Sequence, residues 1–241
     1  PFFFNDTPTT YIYTFTLHDA LPIYKEILSD SAKGMKRSAI RELLKLTQKP
    51  EIISFAGGLP AKESFPLEQL QEICAEVIAT DGAAACQYGS TEGVPELLEI
   101  LAQRYRDQGL SYVTKENITI ITSSQQGLDT VGKIFLNRGD KYICELPSYL
   151  GALGAFNSYG GVGVGIPQDE QGMSAVELEK TLAEMKAKGE KPKFIYLIPD
   201  FQNPAGMTMP EARRIEILNI AKKNVIMVVE DSPYRDLRFS G

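Results

Sequence analysis

The stretch FIYLIPDFQNPAG, residues 194–206, decides the fold. Its first five residues are apolar or β-prone, which predicts a buried strand that ends at Pro199. A polar loop with Asn203 and Pro204 follows. In open α/β sheets, ligands bind at the carboxyl ends of strands, so Asn203 is a candidate ligand contact and its bond to Pro204 a candidate cis peptide. An ordinary Asn-Pro turn between a strand and a helix explains the same residues, and this stretch alone leaves both interpretations open.

Apolar runs and amphipathic segments alternate on both sides of this stretch. A Ser174-x-x-Glu177 capping box, for example, predicts a helix start just before the deciding strand. Such alternation favours an α/β fold with a mostly parallel sheet covered by helices on both faces, a three-layer αβα arrangement. The predicted strands are 118–122, 141–145, 162–166, 194–198 and 225–230, and helices are predicted at 38–45, from 66 to about 80, around 97–105, from 123 to about 136, and after residues 149, 174 and 208.

Composition bounds the class of protein. The 241 residues contain 43% hydrophobic and 23% charged residues, typical of a globular protein, and the net charge of −6 gives no reason to expect nucleic acid or an anionic membrane as partner. Cys74, Cys86 and Cys144 form no Cys-x-x-Cys pair and His18 is the single histidine, so no metal site is expected. Scattered cysteines fit a cytoplasmic location. No apolar run approaches the roughly 20 residues that span a bilayer.

The first 23 residues, PFFFNDTPTTYIYTFTLHDALPI, differ from the rest. They lack the early positive charge and small-residue cleavage site of a secretory signal. An edge strand or a disordered tail is one interpretation. The string also closely resembles the translation of a sequencing-library adapter. We expect it to be a disordered, non-native segment, which would place His18 outside the native protein.

The ends of the predicted strands carry a set of polar and aromatic side chains. Each has an ordinary explanation, such as a Ser N-cap or a strand-end turn. Together they offer hydroxyls at a helix N-terminus, a flat aromatic face, an amide, a carboxylate and a phenol. A planar, phosphorylated, cationic heteroaromatic such as pyridoxal phosphate would use all of them. The residues are Ser124, Gln125, Tyr149, Asn203, Asp231 and Tyr234.

From about residue 35 to Gly241 the chain resembles the fold type I, class I/II aminotransferases, close to the 2-aminoadipate (LysN-like) and kynurenine aminotransferase branch. The motifs that carry the resemblance are SAIRELLKLTQKPEIISFAGGLP, QYGSTEG, ITSSQQGLD, ELPSYLGAL, IPDFQNPAG and VVEDSPY, which are long and in order. The resemblance implies pyridoxal 5′-phosphate as cofactor and transfer of an amino group between an amino acid and a 2-oxo acid.

The resemblance also implies roles for individual residues. Ser124 and Gln125 would bind the cofactor phosphate, and Tyr149 would stack on the pyridine ring. Asn203 and Tyr234 would hydrogen-bond the phenolic oxygen of the cofactor. These roles are expectations from the family pattern.

The remaining implied roles concern the ring nitrogen and the substrate. Asp231 would pair with the ring nitrogen and keep it protonated, which makes the ring an electron sink. Gly58 would lie against the substrate carboxylate, and Arg41 would recognise a side-chain carboxylate. Tyr88 would reach in from a second subunit, so the resemblance implies a homodimer.

One family element has no counterpart in the sequence. The lysine that binds the cofactor covalently lies, in the family, downstream of the Asp…Tyr motif, and no lysine here has a matching context. We expect that lysine to lie beyond Gly241, and therefore expect an inactive N-terminal fragment of an aminotransferase with no catalytic residue of its own. Its sheet would be gapped, because the family's last two strands neighbour the one predicted at 118–122, and apolar surface would be exposed there.

The expected organisation is a non-native segment at 1–23, an N-terminal arm and part of a small domain at 24–65, and a partial cofactor-binding domain at 66–241. Two alternatives stay open at this point. One is the effector domain of an aminotransferase-like (MocR-type) transcription regulator. The other is a non-catalytic protein that naturally ends at Gly241.

Overall fold

A computed structural model of the chain describes residues 26–34 and 60–240. Residues 60–121 form one compact unit, and residues 26–34 with 122–240 form another. The predictions for residues 1–23, the helix at 38–45, Arg41, Gly58 and the terminal Gly241 lie outside the described residues. The predicted division between residues 65 and 66 stays a prediction. Among the described residues, no helix has the length and apolar character needed to cross a membrane.

The second unit is built on a five-stranded mixed sheet. Its strands are β1 Lys141–Leu146, β2 Val162–Asp169, β3 Gly172–Met173, β4 Phe194–Leu197 and β5 Met227–Glu230, in the order β3-β2-β1-β4-β5. β1, β2, β4 and β5 run parallel, and the short β3 pairs antiparallel with β2.

The helices follow the predicted alternation. Those of the sheet unit are α1 Asp30–Gly34, α4 Ser124–Phe135, α5 Leu150–Ser158, α6 Ala175–Ala187 and α7 Glu211–Asn224, and those of residues 60–121 are α2 Leu67–Ala85 and α3 Pro95–Asp107. Short 3₁₀ turns lie at Lys62–Ser64 and Lys115–Asn117. Ser174 caps α6 as predicted, since its hydroxyl accepts a hydrogen bond from the backbone N–H of Glu177.

Side chains of the central strands alternate between two apolar cores. Ile143 and Ile195 point into a core with α6 and α7, which contribute residues such as Leu178 and Ile217. Their neighbours in sequence point to the opposite face of the sheet, where they pack against α4 and α5. There the aromatic rings of Tyr142, Phe156, Phe194 and Tyr196 contact one another. The predicted three-layer αβα architecture is confirmed.

The last strand begins two residues later than predicted. Val225 adopts a left-handed conformation, with φ 53° and ψ 54°, and caps the C-terminus of α7. A residue in that conformation cannot continue a strand, so β5 starts at Met227.

The prediction of a strand at 118–122 is wrong. The backbone at Ile118 is extended, with φ −121° and ψ 138°, but no described strand pairs with this segment. Ile120 instead donates its N–H to the carbonyl of Glu92 at 2.7 Å. The five described strands are hydrogen-bonded neighbours of one another, whereas the segment at 118–122 lacks neighbouring strands among the described residues, as the prediction of a gapped sheet expects. Apolar surface is exposed as expected, with Ile120 at 39% and Ile121 at 40% exposure.

Candidate functional site

The loop that follows β4 forms a tight turn around Gln202. The backbone N–H of Gln202 donates to the carbonyl of Met207 at 2.7 Å, and its own carbonyl accepts from Gly206 N–H at 2.5 Å. The peptide bond between Asn203 and Pro204 is cis, as the sequence allowed. This turn presents the partly buried Asn203 at the carboxyl end of the sheet.

Asp231 lies directly after β5 and beside the end of β4. Its backbone N–H donates to the carbonyl of Leu197 at 2.8 Å, which fixes the start of the loop. The buried hydroxyl of Tyr196 donates to Oδ2 of Asp231 at 2.8 Å. Burial raises the pKa of the Asp231 carboxyl above its usual value, and the hydrogen bond from Tyr196 offsets part of this rise. The carboxylate would therefore be stabilised by a cation placed next to it.

A cavity of about 80 Å³ brings most of the predicted site residues together. Five of the six predicted cofactor-binding residues line it, together with two residues that the sequence did not indicate. The lining residues are Ser124, Tyr149, Ile198, Asn203, Asp231, Pro233 and Tyr234.

The covalent lysine of the family has no counterpart at this cavity. Among the described lining residues there is no lysine. Gly241, beyond which the sequence predicts that lysine, lies outside the described residues. The position of the lysine therefore stays a prediction.

The first turn of α4 forms one edge of this cavity. The helix starts at Ser124, and the Ser123 side chain makes no capping hydrogen bond to it. Backbone N–H groups of a first helical turn have no intrahelical acceptor, and with the helix dipole they favour an anion. Gln126 closes the turn from within, because its Oε1 accepts from the backbone N–H of Thr122 at 2.6 Å. Ser124 is thus placed where a phosphate group would be favoured.

Gln125 is the predicted site residue that does not line the cavity. Its Nε2 donates to the carbonyl of Gly151 in the first turn of α5, at 3.1 Å. The ring of Tyr149 lies over the same glycine, since a Cβ added there would come within 2.5 Å of the Tyr149 hydroxyl oxygen. The absence of a side chain at Gly151 therefore makes room for the Tyr149 ring.

A second aspartate, Asp200, lies in the loop after β4 and is 1% exposed. Its two oxygens accept hydrogen bonds from the guanidinium groups of Arg214, Arg235 and Arg238 at 2.8–3.2 Å. Burial acts to raise its pKa, but Arg214 and Arg235 outweigh that effect and hold the pKa of Asp200 below its usual value. Through Arg235, which directly follows Tyr234, Asp200 connects the loop that contains Asn203 to the segment that contains Tyr234.

Two buried polar residues connect β1 to the Asn203 turn. Glu145 is 1% exposed, and its Oε2 accepts from the backbone N–H of Ile198 at 3.0 Å and from Nε2 of Gln202 at 3.3 Å. Its Oε1 is buried without a hydrogen-bond partner among the described residues. Burial raises the pKa of the Glu145 carboxyl to about 7, although the two hydrogen bonds act to lower it.

The roles of the three residues predicted to contact substrate stay predictions. Tyr88 belongs to the other compact unit, and its side chain is 99% exposed. Arg41 and Gly58 lie outside the described residues.

Sequence reasoning missed Tyr196 as the hydrogen-bond donor to Asp231. The signal that could have found it is the register of β4 and β5. Tyr196 pairs with Val229, so Asp231, two residues further, lies on the same face of the sheet. That register is not readable from either strand alone.

Comparison with known proteins assigns the family. A model of the family "Aminotransferase class I and II" matches residues 50–241. The chain belongs to the class I and II aminotransferase family.

Characterised relatives point in the same direction. The chain is 46% identical over 218 residues to aromatic-amino-acid aminotransferase 1 of Thermococcus litoralis and 42% identical over 216 residues to 2-aminoadipate transaminase of Thermus thermophilus. These matches cover 90% of this chain and 52% of each relative. The chain spans about half the length of the curated relatives that it matches.

Solved structures confirm the fold. A kynurenine aminotransferase of Pyrococcus horikoshii, crystallised with PMP, superposes with a TM-score of 0.81 at 43% identity. LysN of Thermus thermophilus, an α-aminoadipate aminotransferase complexed with N-(5′-phosphopyridoxyl)-L-leucine, superposes with a TM-score of 0.79 at 39% identity. The matches cover 90% of this chain and 54% and 52% of those chains.

Proposed function

We propose that this chain supplies the cofactor-binding cradle of an aminotransferase that uses pyridoxal 5′-phosphate. The observation that carries the proposal is the cavity shared by Asp231, Asn203, Tyr149, Tyr234 and Ser124. It combines a carboxylate, an amide, two phenols and a helix N-terminus at the carboxyl end of a parallel sheet. These groups are complementary to a phosphorylated pyridine with a phenolic oxygen.

The residues present fit the cofactor chemically. Burial has raised the pKa of the Asp231 carboxyl, so a cationic ring nitrogen beside it would recover electrostatic energy. At about 80 Å³ the cavity is smaller than an ordinary ligand pocket of several hundred Å³, so this chain would enclose only part of the ring. When bound, the cofactor supplies an electron sink for the carbanion formed at the α-carbon of an amino acid.

Each residue would perform one task. Ser124 would bind the phosphate with its hydroxyl and the first turn of α4. Gln125 would contribute through its backbone N–H, since its side chain is bonded to Gly151. Tyr149 would cover the ring face, and Asn203 and Tyr234 would donate hydrogen bonds to the phenolic oxygen.

The carboxylate has a further task. Asp231 would hold a proton on the ring nitrogen, and Tyr196 would hold the carboxylate in place through its hydrogen bond. Both residues act on charge rather than on shape, so their substitution would change the pH dependence of binding as well as its strength.

Binding of pyridoxamine 5′-phosphate to the chain tests this proposal directly. Pyridoxamine cannot form the adventitious imines that an aldehyde makes with surface lysines. We expect saturable binding by isothermal calorimetry, weakened about tenfold or more by Asp231→Asn, because the ring nitrogen would lose its ionic partner. No binding to the unsubstituted chain, or equal binding to the variant, would contradict the proposal.

The activity of the whole protein is a proposal too. The named relatives act on aromatic amino acids and 2-aminoadipate, and a structural relative binds kynurenine. We propose the same classes as amino donors, with a 2-oxo acid as acceptor. Assays of the whole protein with these amino donors and 2-oxoglutarate would test the proposal. Absence of amino-group transfer from every donor would contradict it. The relatives named here are aminotransferases, which does not favour the regulator alternative.

The remaining expectations are part of the same proposal. Gly58 would lie against the substrate carboxylate and Arg41 against a side-chain carboxylate. Tyr88 would act across the interface of a homodimer, a role that suits its nearly complete exposure in the single chain. A cytoplasmic location fits the three free cysteines, Cys74, Cys86 and Cys144. Sedimentation of the whole protein would test whether it is a dimer. Comparing cofactor binding by the whole protein and by its Tyr88→Ala variant would test the role of Tyr88.

A further inference from the structure

Gln202 does not line the cavity, but its side chain makes hydrogen bonds both within its own turn and to another structural element. Its side chain is almost fully buried, with 2% exposure. Nε2 donates to Oε2 of Glu145 at 3.3 Å and to the carbonyl of Pro147 at 3.0 Å, both at the end of β1. Oε1 accepts from the backbone N–H of Ala205 at 2.7 Å, inside the turn.

The side chain therefore connects two separate structural elements. One end is anchored to β1, and the other end closes the turn that presents Asn203. Backbone hydrogen bonds from Gln202 to Met207 and from Gly206 to Gln202 complete this closure. Glu145 also binds the backbone N–H of Ile198, which is a cavity-lining residue. One buried carboxylate oxygen thus holds both the start of the loop and its turn.

We propose that Gln202 is a positioning residue that fixes the Asn203 amide at the cavity by tying the turn at 202–207 to Glu145. This inference rests on the proposed function in one respect, since Asn203 is taken as a cofactor contact. The positional part stands on the hydrogen bonds alone. A buried amide donating twice and accepting once is pre-organised, because rotating it would leave buried groups without partners.

A reciprocal exchange of the two side chains tests the contact itself. Gln202→Glu keeps the acceptor for Ala205 but replaces the donor that faces Glu145 and the carbonyl of Pro147 by a second carboxylate. At alkaline pH, where both carboxylates ionise, we expect faster deuterium uptake in the peptide spanning residues 199–209 and about tenfold weaker binding of pyridoxamine 5′-phosphate. Adding Glu145→Gln restores the donor–acceptor pair between positions 145 and 202, while the carbonyl of Pro147 keeps only its hydrogen bond from Gln168. The double variant should therefore recover a large part of both readouts relative to Gln202→Glu.

Two further variants keep the outcomes distinct. Asn203→Ala removes the amide but not the Gln202 contacts, so it should weaken binding and leave deuterium uptake at 199–209 unchanged. If Asn203→Ala binds pyridoxamine 5′-phosphate as tightly as the unsubstituted chain, the proposed function of Asn203 is wrong. The deuterium uptake of the Gln202 variants still tests the positioning role of Gln202. Unchanged uptake in Gln202→Glu, or a double variant that stays as exposed as the single one, would overturn the inference.

If Gln202→Glu does not fold, the double variant and Gln202→Met decide the matter. Met is similar in size and removes every side-chain hydrogen bond of Gln202. We expect a folded Gln202→Met chain with raised uptake confined to the peptide at 199–209. If this peptide is as protected in Gln202→Met as in the unsubstituted chain, the turn is stable without the Gln202 side chain, and the inference is wrong.

Discussion

Asp200 and Asp231 follow neighbouring parallel strands, and their surroundings give them opposite properties. Asp200 is surrounded by three guanidinium groups and its pKa is lowered, whereas Asp231 has a phenol as partner and its pKa is raised. The negative charge of Asp200 is compensated by arginines of the same chain. Asp231 faces a cavity, and no ion pair with a described residue compensates its charge. The charge of Asp200 is therefore compensated within the fold, whereas the proposed function assigns a cationic ligand to Asp231.

The largest expected effect separates the two aspartates by stability. Asp200→Asn would place an amide donor against Arg214, Arg235 and Arg238. Breaking a buried ion cluster costs about 3 kcal/mol of unfolding free energy, toward the low end of its range here because the arginines are partly exposed. The loss should appear above the usual pKa of 3.8 and shrink as the pH falls, because the carboxylate becomes protonated. Urea unfolding at several pH values measures it.

Two matched variants control this prediction. Asp169→Asn breaks an ion pair with Arg213 in which the aspartate is 46% exposed, and should cost within about 1 kcal/mol. Asp231→Asn removes a charge whose burial is unfavourable, so it should leave stability at neutral pH equal or higher. Equal losses for Asp200→Asn and Asp231→Asn would break the distinction drawn above.

Glu145 sharpens the comparison, because it is a buried carboxyl with a raised pKa and no cation among its described hydrogen-bond partners. With a pKa of about 7 against a usual 4.5, its stabilising contribution is complete below about pH 4.5 and lost as the pH rises to 7. The glutamine of Glu145→Gln cannot ionise, so the variant does not lose this contribution. Its unfolding free energy, measured relative to that of the unsubstituted chain, should rise by ~3 kcal/mol from acid to neutral pH. A constant difference between the two proteins from pH 4 to pH 8 would refute the raised pKa.

The third prediction concerns the cavity side of the comparison. Gly151→Ala would bring a methyl group within 2.5 Å of the Tyr149 hydroxyl oxygen and force the ring to move, at a cost of about 1–3 kcal/mol. Gly154 lies in the same helix, and a Cβ there meets nothing within 4 Å. Gly154→Ala should instead stabilise the helix by about 0.5–1 kcal/mol. Thermal unfolding of both variants compares them, and similar shifts of Tm would be inconsistent with this packing.

The smallest expected effect concerns Tyr196. Tyr196→Phe keeps the ring but removes the hydroxyl that donates to Asp231, a hydrogen bond worth roughly 1–2 kcal/mol. Because that bond lowers the pKa of Asp231, the pKa should rise further in the variant. Carboxyl chemical shifts followed by NMR over a pH titration would measure the change. Asp200 should titrate as before, and a parallel shift of both aspartates would argue against a local effect.

Much of the fold follows from local sequence patterns. The buried strand Phe194–Leu197, the Ser174 cap and the helix after residue 149 were predictable because periodicity and capping are properties of neighbouring residues. The strand predicted at 118–122 was wrong for the opposite reason. Its residues favour an extended backbone, which Ile118 has, but a strand also requires a hydrogen-bonded partner.

The candidate site divides in the same way. The residue types at the strand ends, and the resemblance that they carry, were readable from the sequence, and five of the six lie around one cavity. The bond from Gln125 to Gly151, the hydroxyl of Tyr196 on Asp231 and the clamp of Gln202 on Glu145 were not. Each joins residues that are 26 or more positions apart in the chain, so only strand order and register bring them together.

By itself, the sequence determined the family, the alternation of strands and helices and the set of polar groups at the strand ends. The tertiary structure decided the direction in which the pKa of each aspartate after β4 and β5 is shifted. Asp200 and Asp231 are chemically identical, and both come shortly after an apolar strand. Their pKa values differ because α7 and the residues after Tyr234 bring three arginines to the first, whereas the second meets only Tyr196 and the cavity among the described residues.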